Sequence, residues 1–266
     1  MKYCVDYHKH IKGLDKADEF TITYTNKNDV LIDFLENFKE KRVNLKIEQR
    51  LTDAELKLLN TICKSYPNLF LRFEFYDYDY IENICESGVR FFFANRVNNW
   101  DEFLGLIMLG VSDVYIVEDL GFELDKIAEI AHSNDVRVRA YPNVAQSQWR
   151  DSLDIKKFWI RPEDIEFYND YIDVCEFFGE PHHIPVLLKI YKEDKKWLGP
   201  LNEIIIGLQN TLDNHLIYPE LFAQGRIGCG KKCLKGNPCR RCEYILDLAK
   251  TLKDKQLEYK TIKESK

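Results

Sequence analysis

Along roughly the first 210 residues, short apolar runs rich in β-branched and aromatic side chains alternate with longer amphipathic stretches. Phe20–Tyr24, Val43–Ile47, Leu69–Phe75, Val89–Phe93, Val114–Val117, Val136–Ala140 and Lys157–Ile160 each have the composition and length of a strand. They recur about every 20 to 26 residues, the length of one strand plus one crossover helix. Lys2–Tyr7 supplies a first strand, and Ile184–Ile190 and Glu203–Ile206 are further strand candidates. The interval between the first two strands is too short for a crossover helix, so the chain is expected to open with a hairpin or an irregular closure.

The intervening stretches carry helical signals. Val30, Leu31, Phe34, Leu35 and Phe38 fall on one face of a helix, Thr52 with Glu55 forms a capping box, and Pro162 suits a first helical turn. Gly88, Gly110 and Gly179 are placed as helix stops. Tyr76-Asp-Tyr-Asp-Tyr80 reads as the entry to a helix.

Such alternation predicts an α/β fold with a parallel sheet, here a TIM-barrel-like (β/α) repeat over residues 1–210. A smaller segment over 211–266 would carry a cysteine-rich metal site and a terminal helix. The open dinucleotide-binding alternative lacks its Gly-x-Gly-x-x-Gly turn, and no phosphate-binding P-loop occurs.

Cysteine spacing sharpens the second segment. Cys229, Cys233, Cys239 and Cys242 put four of the eight cysteines into a polar stretch broken by Gly230, Gly236 and Pro238. Four thiolates so close in sequence can converge on one ion at little loop-closure cost. Zinc, the preferred metal, and an iron-sulfur cluster both suit such a set. Cys4, Cys63, Cys85 and Cys175 are scattered among apolar neighbours with no paired spacing and no signal peptide before them, which argues against disulfides and for a reducing cytoplasm. No apolar run approaches the roughly 18 residues needed to cross a bilayer.

Charge is unevenly spread. The whole chain carries −6, yet from Arg226 onward 12 basic residues face 5 acidic ones. Lys231, Lys232, Lys235, Arg240 and Arg241 lie within or beside the cysteine run, where they would either offset the thiolates or contact nucleic acid or an acidic protein.

In a parallel barrel, chemistry is built at the carboxyl ends of the strands. Polar residues predicted there include Asp6, His8, Glu48, Arg50, Glu74, Asn95, Arg96, Glu118, Asp119, Tyr141, Asn143, Arg161 and Glu163. Glu74 and Glu118 are the candidate acid-base groups if buried. His182 and His183 are adjacent and point apart in extended chain, so a loop position is expected rather than a metal pair.

The run Asp113-Val-Tyr-Ile-Val-Glu-Asp-Leu-Gly121, a helix, and then Val136-Arg-Val-Arg-Ala-Tyr-Pro-Asn-Val-Ala-Gln146 resembles the central part of the peptidase U32 family. The resemblance implies a TIM-barrel-like body bearing a cysteine set, with Asp119 and Asn143 near the barrel mouth and the four clustered cysteines around an iron-sulfur centre. It also implies activities of that family's kind, namely proteolysis or the hydroxylation of ubiquinone precursors or ribosomal RNA. This chain crowds its cysteines into one carboxyl-terminal run, whereas the family spreads them.

Two functional classes follow. One is a barrel enzyme acting on a polar metabolite or a nucleic-acid substrate through Glu74, Glu118, Asp119 and Asn143. The other is a non-catalytic binding or assembly protein that uses the basic, cysteine-rich segment to contact nucleic acid or an acidic protein. Inward-facing carboxylates at the strand ends would favour the first, and an apolar, filled mouth the second.

Overall fold

The structure, a computed structural model, describes residues 1–94, 97, 99–115, 124–144, 160–193, 197 and 204–206. Its strands are β1 (Lys2–Asp6), β2 (Glu19–Thr23), β3 (Arg42–Ile47), β4 (Leu69–Phe73), β5 (Phe91–Phe93), β6 (Asp113–Tyr115), β7 (Arg137–Ala140) and β8 (Val174–Glu176). The helices are α1 (Asn28–Asn37), α2 (Asp53–Ser65), α3 (Tyr78–Ser87), α4 (Trp100–Met108), α5 (Leu124–Ser133) and α6 (Ile184–Lys192).

The sheet order is β5-β4-β3-β2-β1-β8-β7-β6, and every pair in it is parallel. The two ends approach each other, because the Ser112 N–H ahead of β6 donates to the Phe91 carbonyl of β5 at 2.8 Å. Eight parallel strands with ends so joined form a nearly closed TIM-type barrel. By its internal contacts the chain divides into two units: Met1–Ala140 with Asp170–Phe177, and the remainder. All eight strands belong to the first.

Helix entry follows local chemistry. The Thr52 hydroxyl accepts from the Glu55 N–H at 3.3 Å while the Glu55 carboxylate accepts from the Thr52 N–H at 2.7 Å, completing the capping box of α2. At α3 and α4 the cap is one-sided: the Asp77 carboxylate accepts from the Asp79 N–H and the Asn99 side-chain oxygen from the Glu102 N–H. Gly88 ends α3 in the left-handed conformation at φ 70°.

Outside the barrel wall, Val5, Phe20, Val43, Leu45, Leu71 and Phe73 are buried beneath the helices. The ring of Phe20 meets Tyr7 and Phe38 edge-on at centroid separations of 5.1 and 4.8 Å.

Several elements differ from the sequence reading. Of the two openings expected, the hairpin is ruled out and the irregular one is found: β1 and β2 pair in parallel, joined by a single 3-10 turn at Leu14–Lys16 in place of a crossover helix. Lys41 reaches back to the Asp15 carbonyl at 2.5 Å and to that of Ala17, holding the short crossover in place. Ile184–Ile190 is helix α6, because Ile184, Leu187, Leu188 and Tyr191 follow helical spacing and Pro185 fits its first turn. The eighth strand is instead Val174–Glu176. Gly179, at φ 140°, follows that strand rather than ending a helix. Of Lys157–Ile160 only Ile160 lies within the described residues, and it is not in a strand. Ile206 makes an isolated parallel bridge to Val144.

Candidate active site

Alternate residues of each strand face the barrel interior, where TIM barrels ordinarily hold branched apolar side chains. Here the interior is charged. Glu19, Thr21, Asn44, Arg72, Asp113, Arg139 and Glu176 are all buried polar residues, and Arg139 is wholly enclosed.

Towards the amino ends of the strands, Arg139 pairs with Glu19 and, through Nε at 2.8 Å, with Asp113. Arg137 bridges the same two carboxylates, at 2.5 Å to Glu19 and 2.7 Å to Asp113, and Arg42 pairs with Asp113. The Arg42 guanidinium carbon also lies over the Phe70 ring, 3.4 Å from its centroid. Burial alone would raise the pKa of Glu19, but Arg139 and Arg137 overcome it and lower the value to about 2. Burial likewise opposes ionisation of Asp113, and Arg42, Arg139 and Arg137 hold it well below the usual carboxylate range. These groups form a structural plug whose charges are committed to one another.

Higher in the barrel, Glu176 receives the Tyr115 hydroxyl at 2.6 Å, Arg139 Nη1 at 3.1 Å and Arg72 Nη1. Strands β4 and β8 stand four places apart in the ring of eight, so the Arg72–Glu176 pair spans the lumen. Arg72 Nε then lies 2.9 Å from Glu74 Oε1, an ionic contact whose angle does not make a hydrogen bond. Glu74 continues the line of β4, its N–H donating to the Ile47 carbonyl at 2.9 Å.

Glu74 thus stands at the carboxyl end of the barrel, the place the sequence assigns to chemistry. Burial raises its pKa, Arg72 and Lys46 pull it back, and Glu176 and Asp6 add to the rise. Asp6 is raised too, by burial and then by Glu176. Its side chain is nevertheless exposed while that of Glu74 is only 26% exposed, so Glu74 carries the argument. Lys46 lies within electrostatic range of both carboxylates and binds Glu48 at 2.7 Å. A carboxyl whose pKa burial raises is the kind of group that serves acid-base chemistry.

Cys4 also faces the lumen, accepting from Asn44 Nδ2 at 3.4 Å, but burial pushes its thiol up to about 12. It is therefore no nucleophile at neutral pH.

Of the other sequence candidates, Asn143 is fully buried in the second unit. Its side-chain amide donates to the Phe178 carbonyl at 2.6 Å and accepts from the Phe178 N–H at 3.1 Å, clamping that backbone. Glu118, Asp119, Cys229, Cys233, Cys239 and Cys242 lie outside the described residues, as do Asn95 and Arg96. Among the described residues no group of three or more metal-ligating side chains occurs, and no helix is long and apolar enough to cross a membrane. His182 and His183 sit in the turn before α6, as expected.

Sequence reasoning missed Glu176, Arg139 and Asp113 as interior residues. The alternation in Val136-Arg-Val-Arg-Ala140 was the visible signal: a parallel barrel strand with arginine at every second place must turn one charged row somewhere.

No model of a known protein family matches the chain. An uncharacterized protease of Methanocaldococcus jannaschii is 28% identical over 109 residues, covering 40% of this chain and 32% of that protein. The chain therefore bears a local resemblance to a protein with a protease name, in keeping with the U32-like motif, and spans about a third of that relative's length. Among solved structures, L-talarate dehydratase from Polaromonas is 10% identical with a TM-score of 0.44, over 68% of this chain and 53% of that one. A protein named as a dehydratase from Mesorhizobium loti is also 10% identical, with a TM-score of 0.45 over 75% and 57% of the two chains.

Proposed function

We propose that the chain is a barrel enzyme that moves a proton on a polar substrate at the carboxyl ends of the strands, with Glu74 as the acid-base group. The observation that carries this reading is the Glu74 carboxyl itself, half-buried, raised in pKa by burial, in contact with Arg72 and within electrostatic range of Lys46 at the carboxyl end of a TIM-type barrel. Lys46 and the exposed edge of Asp6 supply complementary charges for a polar substrate. Glu118 and Asp119 follow β6 in sequence and would join the same end. The protease name of the archaeal relative makes a peptide the first substrate class to try.

The four cysteines of residues 229–242 are proposed to hold zinc or an iron-sulfur cluster, since four thiols within a Gly- and Pro-containing stretch match the donor needs of either. Zinc there would organise the local chain, and a cluster would supply electron transfer. Elemental analysis with an absorption spectrum of protein purified without oxygen decides between them.

The test of catalysis is incubation of that protein with fluorescein-labelled casein, total RNA and a panel of polar metabolites, each followed by mass spectrometry. Turnover of one class is expected to fall by about 100-fold or more in Glu74→Gln, the usual worth of a general acid-base group. Turnover that survives this substitution unchanged removes Glu74 from the chemistry.

A second reading rests on the excess of basic residues from Arg226 onward. In it, a non-catalytic barrel contacts nucleic acid or an acidic protein through that segment. Gel shifts with RNA should then weaken steeply as salt rises, and salt-insensitive binding rejects this reading.

A further inference from the structure

We infer that Tyr115, Glu176 and Arg72 form a positioning rail that sets the ionisation of Glu74 from across the barrel. The inference rests on the reading of Glu74 as the acid-base group, yet it makes a claim of its own about which distant residues govern that carboxyl.

Three contacts laid end to end compose the rail. The Tyr115 hydroxyl donates to Glu176 Oε2 at 2.6 Å, the other oxygen of Glu176 pairs with Arg72 Nη1, and Arg72 Nε lies 2.9 Å from Glu74 Oε1. Every member before Glu74 is buried: the side chain of Arg72 is 4% exposed and that of Glu176 is 2% exposed. In so enclosed a site water screens little, so a change of charge at one end is felt at the other. Strand geometry also fixes the members. Arg72 and Glu74 are alternate residues of one strand line, and Glu176 on the opposite wall draws the guanidinium inwards.

The chemical consequence lies in how Arg72 is shared. A guanidinium devoted to Glu74 would hold that carboxyl ionised, as an arginine ordinarily does for its partner. Here Glu176 takes the better-aligned bond and leaves Glu74 an ionic contact without hydrogen-bond geometry. Glu176 therefore acts on Glu74 twice, by occupying Arg72 and by its own negative charge. Among the described residues, the charged groups that act on Glu74 are Asp6 from β1, Lys46 from β3, Arg72 from β4 and Glu176 from β8. Burial makes the largest part of the rise at Glu74, Lys46 and Asp6 act on it directly, and the rail sets how far Arg72 and Glu176 pull and push it.

The experiment is a carbon-detected NMR titration of the glutamate side-chain carboxyls, with Glu74 assigned by its loss in Glu74→Gln. In Glu176→Gln the Glu74 midpoint is expected to fall by about one pH unit, because Arg72 is released to it and a like charge is removed. In Tyr115→Phe, which keeps the ring, the midpoint should move the opposite way by a smaller amount, since the donor that offsets the Glu176 charge is gone. A merely structural role for these residues predicts no such opposed shifts. An unchanged midpoint in both variants overturns the rail, and if Glu176→Gln fails to fold, Tyr115→Phe decides alone. The titration reads the carboxyl without any substrate, so it can fail while Glu74 still proves catalytic, and it can succeed if no turnover is ever found. Where turnover is found, the acid limb of its pH profile should follow the same midpoints.

Discussion

Arg139 is the residue on which the interior turns. It is fully enclosed and meets three carboxylates, those of Glu19, Asp113 and Glu176. Such a side chain adds little net stability over an apolar filling, but removing it strands its partners as uncompensated buried charges. Arg139→Met should therefore lower unfolding free energy by about 3–5 kcal/mol, read as a fall in the urea midpoint. The carboxylates predict the acid response. Glu19 ionises at about 2 in the folded chain and at its ordinary value of 4.5 when unfolded. The unfolded chain thus binds the proton first, so the stability this group contributes is present above pH 4.5 and is lost as pH falls from there towards 2. Asp113 adds to the loss in the same sense. Urea titrations at stepped pH check it, and stability that stays level through this window would contradict the plug. At this scale Glu74 could be singled out from the sequence because it is a carboxylate within the apolar run Leu69–Phe75. Glu19, Asp113 and Glu176 were not, because a strand pattern shows which residues alternate but not which face of the wall each row occupies.

At the scale of elements, the sequence reading is strongest where side chain and backbone satisfy each other locally. The Thr52–Glu55 box needs only four residues, so it could be read directly and it stands at the head of α2. Thr52→Ala should cost about 1 kcal/mol in the same urea assay, while Lys57→Ala on the exposed side of α2 should change little. Gly88→Ala should cost about 1–2 kcal/mol, because φ 70° is strained for any residue with a Cβ; the space itself is open, the nearest side-chain atom to an added Cβ being 3.8 Å away. The misreadings fall where local information is ambiguous. Ile184–Ile190 is apolar nearly throughout, and such a run satisfies both periods until its neighbours decide. The strand at Val174–Glu176 has three residues, fewer than a periodicity can establish.

For the whole molecule, the regular alternation of elements made the barrel legible, since helix-strand repeats of constant length leave few topologies. The candidate site was only half legible: its place at the carboxyl ends of the strands follows from the fold, whereas the network under it depends on side chains that meet from opposite walls. The proposed cysteine centre is local in sequence, and this gives a prediction at the same scale. Cys239→Ser should release the metal while the circular dichroism of the barrel persists, and global unfolding would show that the two parts are not separable.

The charged lumen has one more consequence, for the order of events as the chain leaves the ribosome. Glu19 finds its arginine 120 positions later, and Arg72 its carboxylate 104 positions later. A nascent chain that ends before β7 would have only Arg42 to offset Glu19 and Asp113, so a half-barrel should be a poor waypoint. Closure is then expected to be completed only with β7 and β8, and refolding that proves slow and single-phased would be the signature of this interior.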